Sequence, residues 1–475
     1  MTYFNDLYIG GKWQHGDDHE RVPVVDPADG SPITTFAVAS EEDCVRAVAA
    51  AHDALPEWAA KPPRERSEIL RRAFEILTRE ADRFAELMVR ENGKSLVDAQ
   101  AEARYATDFF RWFAEETVRI SGDYRLSPSG DKRIVVARVP IGVSLLITPW
   151  NFPAAMATRK LAPALAAGCT TVLKPASETP LTAGYLVDVL ERAGVPAGVV
   201  NLVLPVPAGP AVRRMLREPA VRKLSFTGST EVGRLLLGEC ADSVVSASME
   251  LGGNAPLLVL PGADLDLAVE QALLAKMRNG GAACTAANRF YVHSSVYAEF
   301  VRRFSARIAE LRVGPGLDPY NDVGALVSVT ERDKVARLVD TAVGEGATVV
   351  VGGHRGETGC FYEPTVLTGI RHGSTINLTE IFGPVAAIVE VESVDEAVRQ
   401  ANDTIFGLMA YVFGEEREAM SVAQRLEFGM VAVNRGVVSD PAAPFGGMKQ
   451  SGVGREGGFD GIHEFLEQKY IALTA

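Results

Sequence analysis

The sequence predicts an α/β protein made of two doubly wound units, and three observations carry that prediction. Residues 41–120 set charges and apolar side chains at helical spacing, as in RERSEILRRAFEILTREADRFAELMV. From residue 133, short β-rich runs alternate with helix-like stretches, and a second alternating series of similar size begins after residue 252. Strand alternating with helix specifies a parallel sheet covered on both faces. With 475 residues and 47% hydrophobic content, the chain can fill the cores of two or three domains.

The helical segment 41–120 carries its apolar positions on one stripe, the pattern of helices laid over a sheet. Beyond it, RIVVARVPIGVSLLITPWNF supplies two strands, and TTVLKP, GVVNLVLP and VRKLSFTG supply three more. Each is a run of branched apolar residues bounded by proline, glycine or polar residues. In the second unit the strands are APLLVL, RFYVHS, ATVVVGG, AAIVEVE, AYVFG and GMVAVN, with helices such as ERDKVARLVDTAVGEG between them. The stretch 264–278 reads as a helix that Asn279-Gly280-Gly281 ends, which puts Cys284 near the start of this unit.

The 61 acidic residues outweigh 48 basic ones, and a net charge of -13 without a basic patch argues against nucleic acid or anionic membrane as partner. The start, MTYFNDLYIGGKWQ, lacks the basic flank and apolar core of a secretory signal, and no apolar run is long enough to span a bilayer. A soluble, cytoplasmic protein is the expectation. Five cysteines, at 44, 169, 240, 284 and 360, are scattered and never form a CxxC pair, so free thiols are expected. The seven histidines show no HxxxH spacing, and the chemistry is expected to proceed without a metal.

Five segments carry candidate chemistry. In RNGGAACTAANRF, residues 278–290, Cys284 lies among small residues instead of in an apolar run, although a free cysteine is most often a small buried hydrophobe. KLSFTGSTEVGRLLL runs from strand through Gly228 and Ser229 into a helix, where backbone N–H groups and the helix dipole favour a phosphate; tight turns also use glycine for geometry alone. TVLKPASETP ends a strand in Lys174, at the edge where open α/β sheets bind ligands; the alternative is a solvated loop lysine. SMELGGNAP places Glu250 in apolar, glycine-rich surroundings that raise a carboxyl pKa toward that of a useful base; the alternative is a paired structural glutamate. TPWNFP holds Trp150 and Asn151 between two prolines at a strand end, which would fix the Asn151 amide as an oxyanion donor.

TPWNFP, LKPAS, FTGSTEVG, MELGGNAP, the Cys284 segment, EIFGP and PFGGMKQSGVGRE together resemble the aldehyde dehydrogenase superfamily, in its order and over essentially the whole chain. NFPAAMATRKLAPALAAGCT and the MRN before the cysteine are most similar to its succinate-semialdehyde dehydrogenase branch. The resemblance implies a Rossmann-like cofactor domain (1–122 plus 141–250), an α/β catalytic domain (251–440) and a small β oligomerisation flap (123–140 plus 455–475), in a homodimer or homotetramer. It implies Cys284 as nucleophile, its small neighbours leaving room for a carbonyl and nearby polar groups favouring the thiolate. Asn151 and the Cys284 N–H would hold the thiohemiacetal oxyanion, and Glu250 would activate the water that hydrolyses the thioester.

Trp150, Lys174, Ser177, Gly228, Ser229, Leu251, Glu380 and Phe382 match cofactor-binding positions. Ser177 stands where relatives that prefer NAD often carry an acid, and with Lys174 this favours NADP over NAD, against which Glu178 weighs. Arg159, Arg278 and Ser439 match the residues that hold the distal carboxylate of succinate semialdehyde, and Arg159, in an apolar helix-like stretch, would find its counter-charge in that substrate. Ala282 and Ala283 depart from the usual glutamine and threonine, and Ala286 removes the second cysteine of some relatives. The implied reaction oxidises an aldehyde to an acid with NADP or NAD. Succinate semialdehyde is the first substrate; a phosphonate- or sulfonate-bearing aldehyde, or plain ester hydrolysis by the Cys284 thiol with Glu250, is the alternative.

Overall fold

The computed structural model describes residues 3–475; Met1 and Thr2, which head the expected cofactor segment and the stretch inspected for a signal, lie outside them. The amphipathic segment folds as four helices, Glu41–Ala60, Pro63–Arg79, Ala81–Asn92 and Leu96–Thr117. Ser40 and Asp43 form a capping box at the first. Gly93 ends the third at φ 89, a conformation that costs a residue without a Cβ little. Their buried stripes, with Trp58, Phe84, Phe109, Phe110 and Phe113, enter one core with the first sheet.

That sheet has five parallel strands, Val143–Ile147, Thr170–Lys174, Val200–Leu202, Val221–Thr227 and Ser246–Glu250. Their spatial order, counted along the chain, is 3-2-1-4-5. The order therefore reverses between the first and fourth strands, and a crevice outside their carboxyl ends follows. Antiparallel edges complete the sheet: Gly452–Val453 beside Ser246–Glu250, and Leu7–Ile9 with Lys12–Gln14 beside Val200–Leu202. The helix Pro153–Ala167 is buried at every residue between this sheet and Leu96–Thr117, so its two cations, Arg159 and Lys160, are interior charges.

The second sheet holds six parallel strands, ordered Thr365–Thr368, Val385–Val391, Ala287–His293, Ala255–Val259, Met409–Phe413 and Met430–Val433, with Thr348–Val351 antiparallel at one edge. Helices Leu265–Met277 and Ser294–Ala309 cover one face, and Val329–Gly344, Val394–Asn402 and Glu416–Ala423 the other, each over its own core.

A third sheet pairs Lys132–Pro140 with Asp123–Leu126 and, over nine residues, with the C-terminal strand Leu466–Thr474. Residues 455–465, grouped with this flap by sequence, do not join it. Ile462 and Phe465 pack into the first core, because the backbone just before them, Gly452–Val453, is already an edge strand of the first sheet. Among the described residues, no helix is long and apolar enough to cross a membrane.

Candidate active site

A cavity of about 360 Å³ opens where the strand order of the first sheet reverses, and the second unit closes it. Trp150, Asn151, Lys174, Ser177, Gly228, Ser229 and Leu251 line it from the first unit, and Cys284, Glu380 and Phe382 from the second. Glu250, Arg159, Arg278 and Ser439 are not among its lining residues.

The turn after Val143–Ile147 is anchored by buried polar groups more than by its prolines. Lys94 pairs with Glu102 and donates to the Asn151 carbonyl at 2.8 Å; Glu102 also accepts from the N–H groups of Ala154 and Ala155 at 2.9 and 3.1 Å. Asn92 donates to the Trp150 carbonyl at 2.9 Å. The Asn151 amide is thereby aimed at the cysteine segment, where Nδ2 donates to the Ala282 carbonyl at 3.2 Å. A primary amide carries two N–H donors, so one remains for a ligand oxygen.

Cys284 sits between the helix Leu265–Met277 and the strand Ala287–His293. Asn279, Gly280 and Gly281 all take φ near +60 to +75, swinging the chain against the EIFGP loop; a Cβ on Gly281 would lie 2.2 Å from the Gly383 carbonyl. Ala282, Ala283 and Ala286 are buried, and a Cβ on Gly253 would lie 2.3 Å from the Cys284 carbonyl. Backbone packing, then, demands small residues on several sides, where sequence suggests room for a carbonyl. Burial works against the thiolate that the resemblance implies. Burial pushes the Cys284 thiol up to about 12, with Glu380 and Glu250 adding to the rise and Arg159 and Arg278 opposing it.

Glu250 ends the strand Ser246–Glu250 at 3% exposure, and neither carboxyl oxygen has a hydrogen-bond partner. Burial, and then the charge of Glu456, hold its pKa well above the ordinary carboxylate range against Arg159, Lys160 and Arg455. It is thus no paired structural glutamate. Glu456, in the GVGRE segment, is the paired one: it binds Lys160 and lies 3.2 Å from Arg159 Nε. Arg159 consequently has a protein counter-charge, which the sequence assigns to substrate. Its Nη2 donates to Tyr105 Oη at 3.0 Å, whereas Nη1 meets only Met156 Sδ, at 3.6 Å, and the Phe445 ring stacks 4.0 Å from Cζ. Arg278 donates to Ser439 Oγ through both terminal nitrogens at 3.4 Å and lies over Phe152 at 5.2 Å.

On the cofactor side, Phe382, at φ 57, meets Trp150 edge-on with centroids 5.2 Å apart. Glu380 accepts from the Gly253 N–H at 3.1 Å, and burial pushes its pKa up to about 7. The expected phosphate cradle is narrower than its sequence, since the Gly228 N–H donates to the Glu250 carbonyl and Ser229 Oγ caps its helix by accepting from the Val232 N–H. Leu251 packs where a Cβ on Gly233 would stand, 2.3 Å from Leu251 Cδ2. Ser177 donates to Glu178 at 3.1 Å, and Glu178 also lines the cavity. Glu331 and Lys334 line it from the helix Val329–Gly344. A dinucleotide fits this donor set: burial lowers the pKa of Lys174, with the charge of Glu178 opposing that shift, and the Thr227 hydroxyl has no partner.

Sequence reasoning passed over Lys94, Glu102, Lys160 and Glu456. The signal for Lys160 lay in PAAMATRKLAPALAA, because a helix apolar on all sides is interior and its charges require partners.

A ligand crevice at a sheet reversal, with a cysteine in its wall and an unpaired buried carboxyl one residue before the lining Leu251, fits an NAD(P)-dependent oxidoreductase. Residues 13–471 match the aldehyde dehydrogenase family, and the chain belongs to it. A succinate-semialdehyde dehydrogenase of Paenarthrobacter nicotinovorans is 49% identical over 444 residues, 93% of this chain and 99% of that one. A glutarate-semialdehyde dehydrogenase of Pseudomonas putida is 45% identical over 475 residues, covering 100% of this chain and 98% of the relative. The crystal structure of an E. coli NADP-dependent enzyme superposes with a TM-score of 0.98 at 43% identity, over 100% of this chain and 98% of that one.

Proposed function

We propose that the enzyme oxidises succinate semialdehyde to succinate, with NADP or NAD as coenzyme. The observation that carries this reading is the state of Arg159: fully buried, yet with one terminal nitrogen facing only a thioether sulfur 3.6 Å away. A buried guanidinium left short of acceptors is completed by a carboxylate, which takes paired, charge-assisted bonds. Arg278 and Ser439 supply the second half of the clamp. The 45% identical glutarate-semialdehyde enzyme favours a second reading, in which the acid is one carbon longer.

Cys284 Sγ attacks the aldehyde carbon, its proton passing to a basic group as the bond forms. The second N–H of Asn151 and the Cys284 backbone N–H receive the oxyanion, each donor worth about 3 kcal/mol in the transition state. Bound NAD(P) supplies the two-electron acceptor, held by Trp150, Lys174, Ser177, Gly228, Ser229, Leu251, Glu380 and Phe382. Glu250 then takes a proton from the water that cleaves the thioester. Burial suits Glu250 to this task because an unsolvated carboxyl is a stronger base than a solvated one.

In solution the flap is the contact of a homodimer or homotetramer. Its edge strand Asp123–Leu126 has an unpaired side, and Tyr124, Leu126, Tyr470 and Leu473 are exposed.

The test is an aldehyde panel read at the reduced-nicotinamide absorbance. Two charge-assisted contacts are worth about 3–6 kcal/mol together, so kcat/KM for succinate semialdehyde should exceed that for butyraldehyde by about 100-fold or more. Equal values would overturn the substrate; ester cleavage without any nicotinamide reduction would overturn the dehydrogenase step.

A further inference from the structure

Outside the cofactor cavity, a second cavity of about 560 Å³ lies between Pro63–Arg79 and Leu96–Thr117, lined among others by Phe74, Thr78, Tyr105, Asp108 and Pro441. Two of these residues border the proposed anion clamp. Pro441 follows Ser439 by two positions, and Tyr105 holds Arg159. The Tyr105 ring packs edge-on against Phe109 at 5.0 Å, and the Arg159 guanidinium lies 5.5 Å from the same Phe109 ring. Tyr105 is therefore a wall with the buried guanidinium on one side and open volume on the other.

The hydrogen bond has a direction. Arg159 Nη2 donates and the phenol oxygen accepts, so the phenol keeps its own proton, which meets no protein acceptor among the described residues. A carboxylate lying against Arg159 Nη1 offers one. We propose that Tyr105 is a specificity-determining residue that rests on the anion clamp already described: its hydroxyl orients Arg159 and donates to the substrate carboxylate, and its ring sets how long an acid fits by closing the clamp against the outer cavity. This accounts for a half-buried tyrosine at the end of an otherwise apolar contact, where phenylalanine would pack as well.

Two substitutions separate the roles of hydroxyl and ring, assayed with four-, five- and six-carbon ω-carboxy aldehydes beside butyraldehyde. Tyr105→Phe keeps the ring and should raise KM for succinate semialdehyde about tenfold or more, the loss of a bond to a charged group, with kcat changed less than threefold and the KM for butyraldehyde unmoved. Tyr105→Ala opens the wall and should move the ratio of kcat/KM for the six-carbon over the four-carbon acid upward at least tenfold. Coenzyme binding, followed by quenching of tryptophan fluorescence, reports that each variant is folded. The inference is overturned if Tyr105→Phe raises KM for charged and neutral aldehydes alike, or for neither, or if Tyr105→Ala weakens all acids in proportion. Wild-type enzyme that does not favour ω-carboxylates over butyraldehyde would sink the anion clamp itself, and this inference with it; a wild-type preference that Tyr105→Phe retains intact sinks only the role of Tyr105.

Discussion

The high pKa of Cys284 makes a quantitative prediction for the enzyme without coenzyme. An ordinary thiol near 9 is roughly one-tenth ionised at pH 8, whereas the Cys284 thiol, pushed up to about 12, is ionised roughly one part in ten thousand. The thiolate population falls about a thousandfold. A more basic thiolate is a better nucleophile, and a Brønsted coefficient of about 0.4–0.5 returns about twentyfold of that loss. Alkylation by iodoacetamide at pH 8 should therefore run about 50-fold slower than for a free cysteine, before any steric hindrance. Between pH 6.5 and 10 the logarithm of the rate should climb by about one for each pH step, without a plateau. Loss of activity, with mass spectrometry to place the label at Cys284, gives the profile. Since Arg159 holds the thiol down and Glu250 pushes it up, Arg159→Met should slow labelling and Glu250→Gln should speed it. A plateau below about pH 9, or a rate at pH 8 equal to that of the free thiol, would refute the account of a protonated resting thiol.

Four further outcomes follow from the geometry. Asn151→Ala should lower kcat about 100-fold through loss of one oxyanion donor, with KM for the aldehyde little changed; a fall under fivefold in stopped-flow nicotinamide reduction would remove Asn151 from that role. Glu250→Gln should give one equivalent of reduced nicotinamide per subunit in a rapid burst, followed by turnover slowed at least 100-fold, and an acylated Cys284 should be visible by mass spectrometry. Glu178→Gln removes the carboxylate that Ser177 binds inside the cavity and should raise the ratio of kcat/KM for NADP over NAD about tenfold, because a 2′-phosphate would no longer face a like charge. Lys94→Met leaves the Glu102 carboxylate buried without its cation and should destabilise the fold by about 3 kcal/mol in urea unfolding.

The strands that sequence announced include VSLLI, TTVLK and APLLV, where branched or aliphatic residues predominate. Leu7–Ile9, Gly452–Val453 and Thr365–Thr368 went unannounced. Two to four residues are too few to display a period, and Gly452–Val453 forms only beside a strand far away in the chain. The cavity was legible for a different reason. Its residues sit in strand-end turns, and turns carry local signals in proline and glycine, so Trp150, Lys174 and Gly228 could be placed one segment at a time, whereas Glu380 came from the family resemblance alone. What joins those segments was not legible. Glu456 and Lys160 are 296 residues apart, and a charge read alone in a sequence is assigned to the surface, where most charges are.

That blind spot concerns the very charges that bear on substrate. The fully apolar helix Pro153–Ala167 carries Arg159 and Lys160 into the interior, and Glu456 is one carboxylate against two cations. Glu250 restores little of the balance, because burial and the charge of Glu456 raise its pKa well above the ordinary carboxylate range and so weaken its hold on a negative charge. Arg455 and Arg278 add further positive charge at the edges of the group, and Arg159 and Arg278 both draw down the Cys284 thiol. A site with more positive than negative charge favours an anion at the far end of its substrate, such as the carboxylate of an ω-carboxy aldehyde. The same charges bear on the nucleophile: a thiolate at Cys284 would compete with that carboxylate for Arg159 and Arg278, and burial opposes the thiolate further.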